Sequence, residues 1–300
     1  MCLTATATAN VRQDVIKTLS LREDKMAVYT MSTFRDNLHY EIRFKTDEDD
    51  HFDDFYAWLQ NIYERRKKRL VELNESDSRV ENVCGIIYAL KRDECVGIAT
   101  RLRKKGVGAR PYHAGLSTEE KKETLTKWIT NEPGYEIVVA TTAFGMGIDK
   151  ENVRFVVHWS MPKSFEGYYQ EAGRAGRDGK SSACIMYYSR EDRDRSISQL
   201  IKSKRPSEVP GDSQDAHLGN SMNSLKFLAQ YAENTEKCKH RLVAEYFGEE
   251  EVPRCAKACD WCKGPGRLRR AMREGLASEE WMSTQQEMGA FERWGHDEYD

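Results

Sequence analysis

Glu136-Ile-Val-Val-Ala-Thr-Thr-Ala-Phe-Gly-Met-Gly-Ile-Asp149 decides the fold. After Glu136, Ile137–Ala140 are apolar at consecutive positions, with no polar residue on either side of the pleat. A strand of that kind is covered on both faces, which is the habit of parallel sheets. The second half changes chemistry abruptly. Thr141 and Thr142 bring hydroxyls, Gly145 and Gly147 bring exposed amides, and Asp149 brings a carboxylate. Such a loop can hold a phosphate, with Asp149 accepting from a ribose hydroxyl. An ordinary strand-to-loop turn is the competing reading.

The flanking segments repeat the pattern. Cys84–Tyr88, Ala109–Tyr112, Val153–Trp159 and Ala183–Tyr188 read as further buried strands. Between them, Cys95, Ile98, Ala99 and Leu102 keep helical spacing and stop at Gly106, and Ser117 with Glu120 forms a capping box. Ser164–Arg177 reads as a helix. The spacing predicts an α/β fold over 84–202, a parallel sheet with helices on both faces and ligand groups at the carboxyl ends of its strands.

The Ser164–Arg177 helix carries Gln170-Glu-Ala-Gly-Arg174-Ala-Gly-Arg177-Asp-Gly179. Two glycines in one helical turn cost stability, about 1 kcal/mol each, so close backbone approach is expected there. On a helix, Gln170, Arg174 and Arg177 share one face, and two fixed guanidiniums suit a polyphosphate. A surface helix with salt bridges to Glu171 or Asp178 is the plainer alternative.

Cys238, Cys255, Cys259 and Cys262 are separated by 16, 3 and 2 residues. Four thiolates complete a closed tetrahedral zinc shell, structural rather than catalytic. Cys238 is expected on a helix, with His240 pointing away from the cluster. Cys2, Cys84, Cys95 and Cys184 read as small apolar fillers.

The remaining segments are less regular. Residues 1–46 read as the tail of another unit, with a strand end at Leu3–Ala7 and a short helix through Val11, Val15, Ile16 and Leu19. Residues 47–83 form a charged insertion: six acids fall within 47–54, and Arg65–Arg69 are five consecutive bases. A solvated helix explains it best, with DNA contact as the sharper alternative. Residues 203–216 are a linker, 217–265 a helical zinc-binding module, and 266–300 a charged tail. Over 300 residues, 47 Lys+Arg against 49 Asp+Glu leave a net charge of −2, which excludes a uniformly basic coat and confines any polyanion site to a patch. No apolar run is long enough to span a bilayer and no secretory signal opens the chain, so a reducing compartment is expected.

Together these motifs resemble the RecQ family of superfamily 2 DNA helicases. Leu3–Ala7 resembles motif III, Gly85–Tyr88 motif IV, Tyr112-His-Ala-Gly-Leu116 the second-lobe counterpart of motif Ia, Val139–Asp149 motif V, and Tyr168–Gly179 motif VI. The four cysteines, with Tyr246-Phe247-Gly248 between the first two, are similar to the RecQ zinc module. The resemblance spans 1–46 and 84–265. It implies an ATP-driven 3′-to-5′ DNA unwinding motor acting in repair, recombination and replication, nuclear in a eukaryote and otherwise in the cytoplasm or nucleoid. ATP and Mg would sit between two RecA-like lobes. Arg177, then Arg174, would be the arginine finger, with Gln170 placing nucleotide or water. Asp149, Gly147 and Gly145 would face the nucleotide. Arg92, Thr141, Thr142 and Lys163 would grip DNA phosphates.

Several departures accompany the resemblance. Tyr88-Ala-Leu-Lys-Arg92 lacks the family's serine, and Arg35-Asp-Asn-Leu38 replaces Arg-Pro-Asn-Leu, which is expected to loosen the linker. One extra residue separates Cys255 from Cys259. Only 38 residues follow Cys262, too few for a winged-helix domain. No Gly-x4-Gly-Lys-Ser/Thr loop exists: Gly179-Lys-Ser181 follows a helix rather than a strand, and Asp297-Glu-Tyr-Asp300 imitates a magnesium box without a buried strand before it. The chain is therefore expected to begin at motif III, without most of a first lobe. ATP and Mg would bind only with that lobe present. A non-catalytic DNA- or partner-binding module is the alternative from a different functional class.

Overall fold

The computed structural model describes residues 8–46, 50–73, 79–142, 144–145, 148–202 and 212–276, without the side chains of residues 9, 10, 23 and 212–217. The Leu3–Ala7 and Asp297–Asp300 readings, Cys2, Gly147 and most of the 203–216 linker lie outside them.

Six parallel strands form one sheet in the order β1-β6-β5-β2-β4-β3. They are β1 (Leu38–Phe44), β2 (Gly85–Tyr88), β3 (Ala109–Tyr112), β4 (Ile137–Ala140), β5 (Phe155–His158) and β6 (Ser182–Tyr188). The continuous apolar runs are explained by two cores. Ile86, Tyr88, Val138 and Ala140 enter one. Ile87, Ala89, Ile137 and Val139 enter the other.

Connection handedness decides which helix covers which face. From β1 to β2 and from β2 to β3 the chain steps one way across the sheet, and α2 (Phe52–Glu72) and α3 (Arg92–Lys104) lie on one side. From β3 onward it steps back, and α4 (Thr118–Ile129) and α5 (Phe165–Ala172) lie on the other. Reversing direction while keeping a right-handed crossover requires this change of face. Locally, the α3 face Cys95, Ile98, Ala99 and Leu102 is buried, and the Ser117–Glu120 capping box forms reciprocally. Gly85 is required by close approach: a Cβ there would stand 2.0 Å from the Phe155 ring.

The structure redraws the front of the chain. Leu38–Phe44, read as part of an inter-lobe tail, pairs along its full length with β6. Nor is α2 a solvated insertion throughout. Phe52, Phe55, Leu59 and Tyr63 are buried, and Phe55 meets Phe155 and Trp159 at ring distances of 6.1 and 5.7 Å. The sequence shows a helix-like stretch at Phe55, Trp58, Leu59 and Ile62, but the charge blocks at either end favour a solvated reading of it. Arg65, Lys67, Lys68 and Arg69 do stay exposed.

A helical layer follows: α6 (Arg190–Lys202), α7 (Asp212–Glu233), α8 (Lys239–Phe247) and α9 (Asp260–Lys263). It covers the edge of β1. Tyr40 N donates to Ala258 O at 3.2 Å, and Ile42 N to Asp260 Oδ2 at 3.0 Å. These bonds cap an edge that would otherwise recruit another strand. The opposite edge, β3, carries Pro111, a residue that edge strands tolerate. Residues 265–276, assigned by sequence largely to the tail, are helical, and Leu268 and Leu276 are buried.

If α2 is part of the core, Phe55→Ala removes a fully buried ring and should cost about 3–5 kcal/mol of unfolding free energy. Denaturant titration of the two proteins measures it; a loss under about 1 kcal/mol is what a solvated insertion would give.

Candidate functional site

No helix occurs among the described residues of the connection from β4 to β5. The connection leaves the carboxyl end of the sheet at Thr141 and returns to the amino end by Asp149, across the face that carries α5. Phe144 pins it: the ring is buried, packs edge-on to Tyr112 (4.7 Å) and Trp128 (5.4 Å), and its carbonyl accepts from Tyr88 Oη at 2.8 Å. Thr142 and Asp149 stay exposed, and Thr141 and Gly145 are half-buried.

The expected helix over Ser164–Arg177 is shorter. Ser164 caps it, accepting from Gly167 N at 3.0 Å, and α5 stops at Ala172. Residues 173–180 form a turn, so Gln170, Arg174 and Arg177 do not share a helical face. Gly176 has φ +57°, a conformation that favours glycine, and a Cβ there would lie 2.5 Å from Asn37 Nδ2. The carbonyls of Gly173 and Gly176 accept from the Arg35 guanidinium rather than from helical amides. Gly176 thus serves close approach, as expected, but within a turn, whereas a Cβ on Gly173 would meet only the preceding turn of α5.

That turn brings most of the nucleotide-facing candidates together. Arg177 Nη1 donates to Ile148 O at 3.1 Å and to Asp149 Oδ1 at 2.7 Å. Arg174 is half-buried, with one Nη 2.8 Å from where a Gly145 Cβ would stand and its buried Nε without a hydrogen-bond partner. An unpartnered guanidinium donor is a costly thing to bury and marks a place for an anion. Gln170 is exposed on the last turn of α5. Beneath lies a pair that sequence reasoning missed: buried His158 Nε2 and Glu171 Oε2, 2.9 Å apart. The position of Glu171 inside the arginine motif was the available signal.

The phosphate-gripping candidates lie at the opposite end of the sheet. Arg92 opens α3 and is exposed, as is Lys163 just before the α5 cap. Arg92 and His113 each come within 3.3 Å of where a Gly115 Cβ would stand, and neither ring nitrogen of buried His113 has a partner. His113 was not singled out from the sequence, although it sits inside Tyr112–Leu116. The loop from Thr141 to Asp149 is the physical link between these two ends.

The four cysteines converge, with their sulfurs all within 4.8 Å of one another. Cys238–Cys259 and Cys255–Cys259 separations are 3.7 and 3.9 Å. Thiolates about 2.3 Å from a tetrahedral zinc stand roughly 3.8 Å apart, so the donor set fits that ion with no open position. Cys238 and Cys259 are the N-caps of α8 and α9. The extra residue between Cys255 and Cys259 is absorbed at Lys257, which adopts φ +63°. Without metal, hydrogen bonding to Cys238 and then burial push Cys259 up to about 11, and burial raises Cys262 to about 12. Metal must therefore displace protons to bind. His240 does not point away: its Nδ1 lies 3.4 Å from Cys255 Sγ, and its Nε2 donates to Arg35 O at 3.1 Å. It is a partner of a ligand rather than a fifth ligand. Lys239, fully buried, donates to Tyr231 O (2.6 Å) and Asn234 O (3.0 Å) and joins α8 to the end of α7. Cys84, Cys95 and Cys184 are buried as expected.

The fold and site define an α/β lobe with a two-arginine turn, followed by a four-cysteine helical module. Residues 65–179 match the helicase conserved C-terminal domain, and 191–263 match the RecQ zinc-binding domain. The ATP-dependent DNA helicase Q5 of Rattus norvegicus is 38% identical over 286 residues, covering 95% of this chain and 28% of that protein. The ATP-dependent DNA helicase hus2/rqh1 of Schizosaccharomyces pombe is 40% identical over 264 residues, covering 87% and 18%. The solved structure of S. cerevisiae Dbp5 bound to RNA and ADP BeF3 aligns with a TM-score of 0.48 at 18% identity, covering 74% of this chain and 54% of that one. The chain belongs to the RecQ helicase family and corresponds to its second motor lobe and zinc module. It spans under a third of the length of either curated relative. No described helix is long and apolar enough to cross a membrane.

Purified protein should contain about one zinc per chain, released as pH falls because the thiolates regain their protons. Cys259→Ser should lose the metal and unfold 217–265. Metal analysis with a thermal melt checks both, and a metal-free sample with unchanged melting would refute the assignment.

Proposed function

We propose that this chain is the nucleotide-sensing and strand-gripping part of an ATP-dependent 3′-to-5′ DNA helicase serving repair, recombination and replication, in the nucleus of a eukaryote. The observation that carries the reading is Arg177 held beside Asp149, next to an Arg174 whose Nε is buried and unpartnered. A surface-exposed ion pair contributes only about 0–1 kcal/mol, so Arg177 can leave Asp149 for a developing phosphate charge at little cost. Asp149 is then released toward the ribose. Gly145, beside Arg174, would face the phosphates, and Gln170, exposed on the last turn of α5, would place nucleotide or water.

ATP and magnesium would be held by a first lobe, because no phosphate-cradling Gly-x4-Gly-Lys-Ser/Thr loop occurs in this sequence. This chain's residues contribute the stabilising charge. Arg92, Thr141, Thr142 and Lys163 contribute phosphate contacts at the other end of the loop, with His113 beside Arg92. A first lobe and DNA, single-stranded or at duplex junctions, are thus the expected partners.

Alone, the chain should show no helicase-rate ATP turnover. A finger contributes its factor of about 10³–10⁵ only within an assembled site. Supplying a first lobe, in cis or as a separate fragment, should restore DNA-stimulated hydrolysis. Arg177→Ala should then abolish it with little change in ATP affinity. Steady turnover by the isolated chain, insensitive to change at 174 and 177, would refute the reading.

DNA binding by the chain should be weak and independent of sequence, and should fall steeply with salt, because a few phosphate contacts release counterions without reading bases. Fluorescence anisotropy with single strands from low to moderate salt measures it. Affinity that does not change with salt would contradict the assignment of Arg92 and Lys163.

A further inference from the structure

The segment Ser32–Asn37 threads between the zinc module and the arginine turn, and touches both. On the module side, Glu249 accepts from Ser32 Oγ at 2.9 Å and from Thr33 N at 2.6 Å. His240 donates to Arg35 O, and its ring packs on Phe34 and Tyr40 at 5.2 and 4.9 Å. The other nitrogen of that ring faces the metal-ligating Cys255. On the motor side, Arg35 Nη1 donates to Gly173 O at 3.1 Å and Nη2 to Gly176 O at 2.5 Å. Asn37 Nδ2 donates to Gly176 O at 2.8 Å and to Lys180 O at 3.0 Å. Far from being loosened by Asp36, the segment is hydrogen-bonded on both sides.

We propose that Arg35 is a positioning residue for the arginine turn, and that through His240 it transmits to that turn the order that metal imposes on the cysteine site. The role of the turn rests on the proposed function; the mechanical link does not.

The chemistry of the contacts supports this. A guanidinium is a rigid planar fork, so binding two carbonyls with it fixes their separation. Gly173 and Gly176 bracket Arg174, and Arg177 follows at once. Fixing those two carbonyls therefore fixes where both candidate finger side chains start. Arg35 forms no ion pair among the described residues, so its donors are committed to the turn. Its own carbonyl is fixed by an imidazole whose opposite face abuts a zinc ligand. The path from sulfur to turn is thus Cys255, His240, Arg35, then Gly173 and Gly176. Two sites joined through one element are coupled reciprocally.

Hydrogen exchange on the full chain tests the link. Gly176 N and Asp178 N are bonded to Val153 O and Glu151 O, and they report on the turn; peptides from α3 and α4 report on the fold. With zinc bound, His240→Ala should keep its metal, since His240 is not a ligand. It should nonetheless exchange at the turn about tenfold faster than the parent, the scale expected for loss of a local anchoring contact. Arg35→Ala should do the same, and the double variant should add little to either single change. A zinc-loaded His240→Ala or Arg35→Ala with parental exchange at 173–180 overturns the proposal, as does full additivity of the pair. If Arg35→Ala also deprotects α3 and α4, Arg35→Lys is read instead against the same outcomes, since it keeps the charge and loses the fork. In protein assembled with a first lobe, Arg35→Ala should lower kcat about tenfold and leave KM for ATP unchanged. Parental kcat there overturns the positioning role. Absence of hydrolysis in the assembled parent sinks the functional reading and leaves the exchange result standing.

Discussion

Strand β1 is the member on which the two halves of the molecule depend. On one side its residues Leu38–Phe44 run in parallel register with Ser182–Tyr188 and extend the sheet. On the other side an edge strand presents unpaired amides, which must be bonded or they become a template for aggregation. Here Ala258 and Asp260 accept from Tyr40 and Ile42, and Cys259 forms a bridge with Tyr40. Metal-binding residues therefore finish the sheet. A ligand whose backbone belongs to the sheet edge ties metal affinity to the stability of the motor lobe, because binding energy at such a site is folding energy. The residues just before β1 hold the arginine turn, so the same strand fixes the position of both functional centres.

Strands and the zinc set were legible because each depends on a local pattern. A run such as Ile137–Ala140, buried on both faces, can belong only to the interior of a sheet, and four cysteines at short spacing leave few geometries. What could not be read depends on contacts between distant segments. The end of α5 at Ala172 is set by Arg35 and Asn37, more than 130 residues away in the sequence. Helical periodicity continues through Arg174 and Arg177, so spacing alone extends the helix and places Gln170, Arg174 and Arg177 on one face. Gly176 did carry the right message, close approach, but not that Asn37 and Lys180 are what approaches.

Charge misled at two other places. Acids at 47–54 and bases at 65–69 outweigh the apolar stripe of α2 in any composition-based reading, yet Phe52, Phe55 and Leu59 lie nearly inaccessible against the sheet. The charged side chains sit on the outer face of α2 or beyond its start, while its inner face, from Phe52 to Leu70, is buried. His240 was dismissed because two residues along a helix from Cys238 it should face away from that ligand. It does not reach the shared centre as a ligand, but it faces Cys255, which arrives from another loop. One-dimensional spacing constrains a residue against its own helix and says nothing about what packs onto the far side.

In the proposed motor, the connection from Thr141 to Asp149 would let a single lobe serve two chemistries at once. Parallel sheets place ligand groups at the carboxyl ends of strands. Arg92, Thr141 and Lys163 obey that rule, whereas Arg177 and Asp149 lie beside the strand starts. A helix between β4 and β5 would separate the two ends by a stiff, internally bonded rod whose terminal loops move independently. No helix occurs among the described residues of this connection. Its Phe144 is locked between Tyr112 and Trp128, its carbonyl is tied to Tyr88, and its far end is held by Arg177. Displacing Arg177 from Asp149 would free one end of a segment whose other end carries Thr141 and Thr142, the proposed phosphate contacts. In the proposed motor, phosphate charge and strand contact are thereby read by one piece of backbone about nine residues long, and the coupling needs no rearrangement of the sheet.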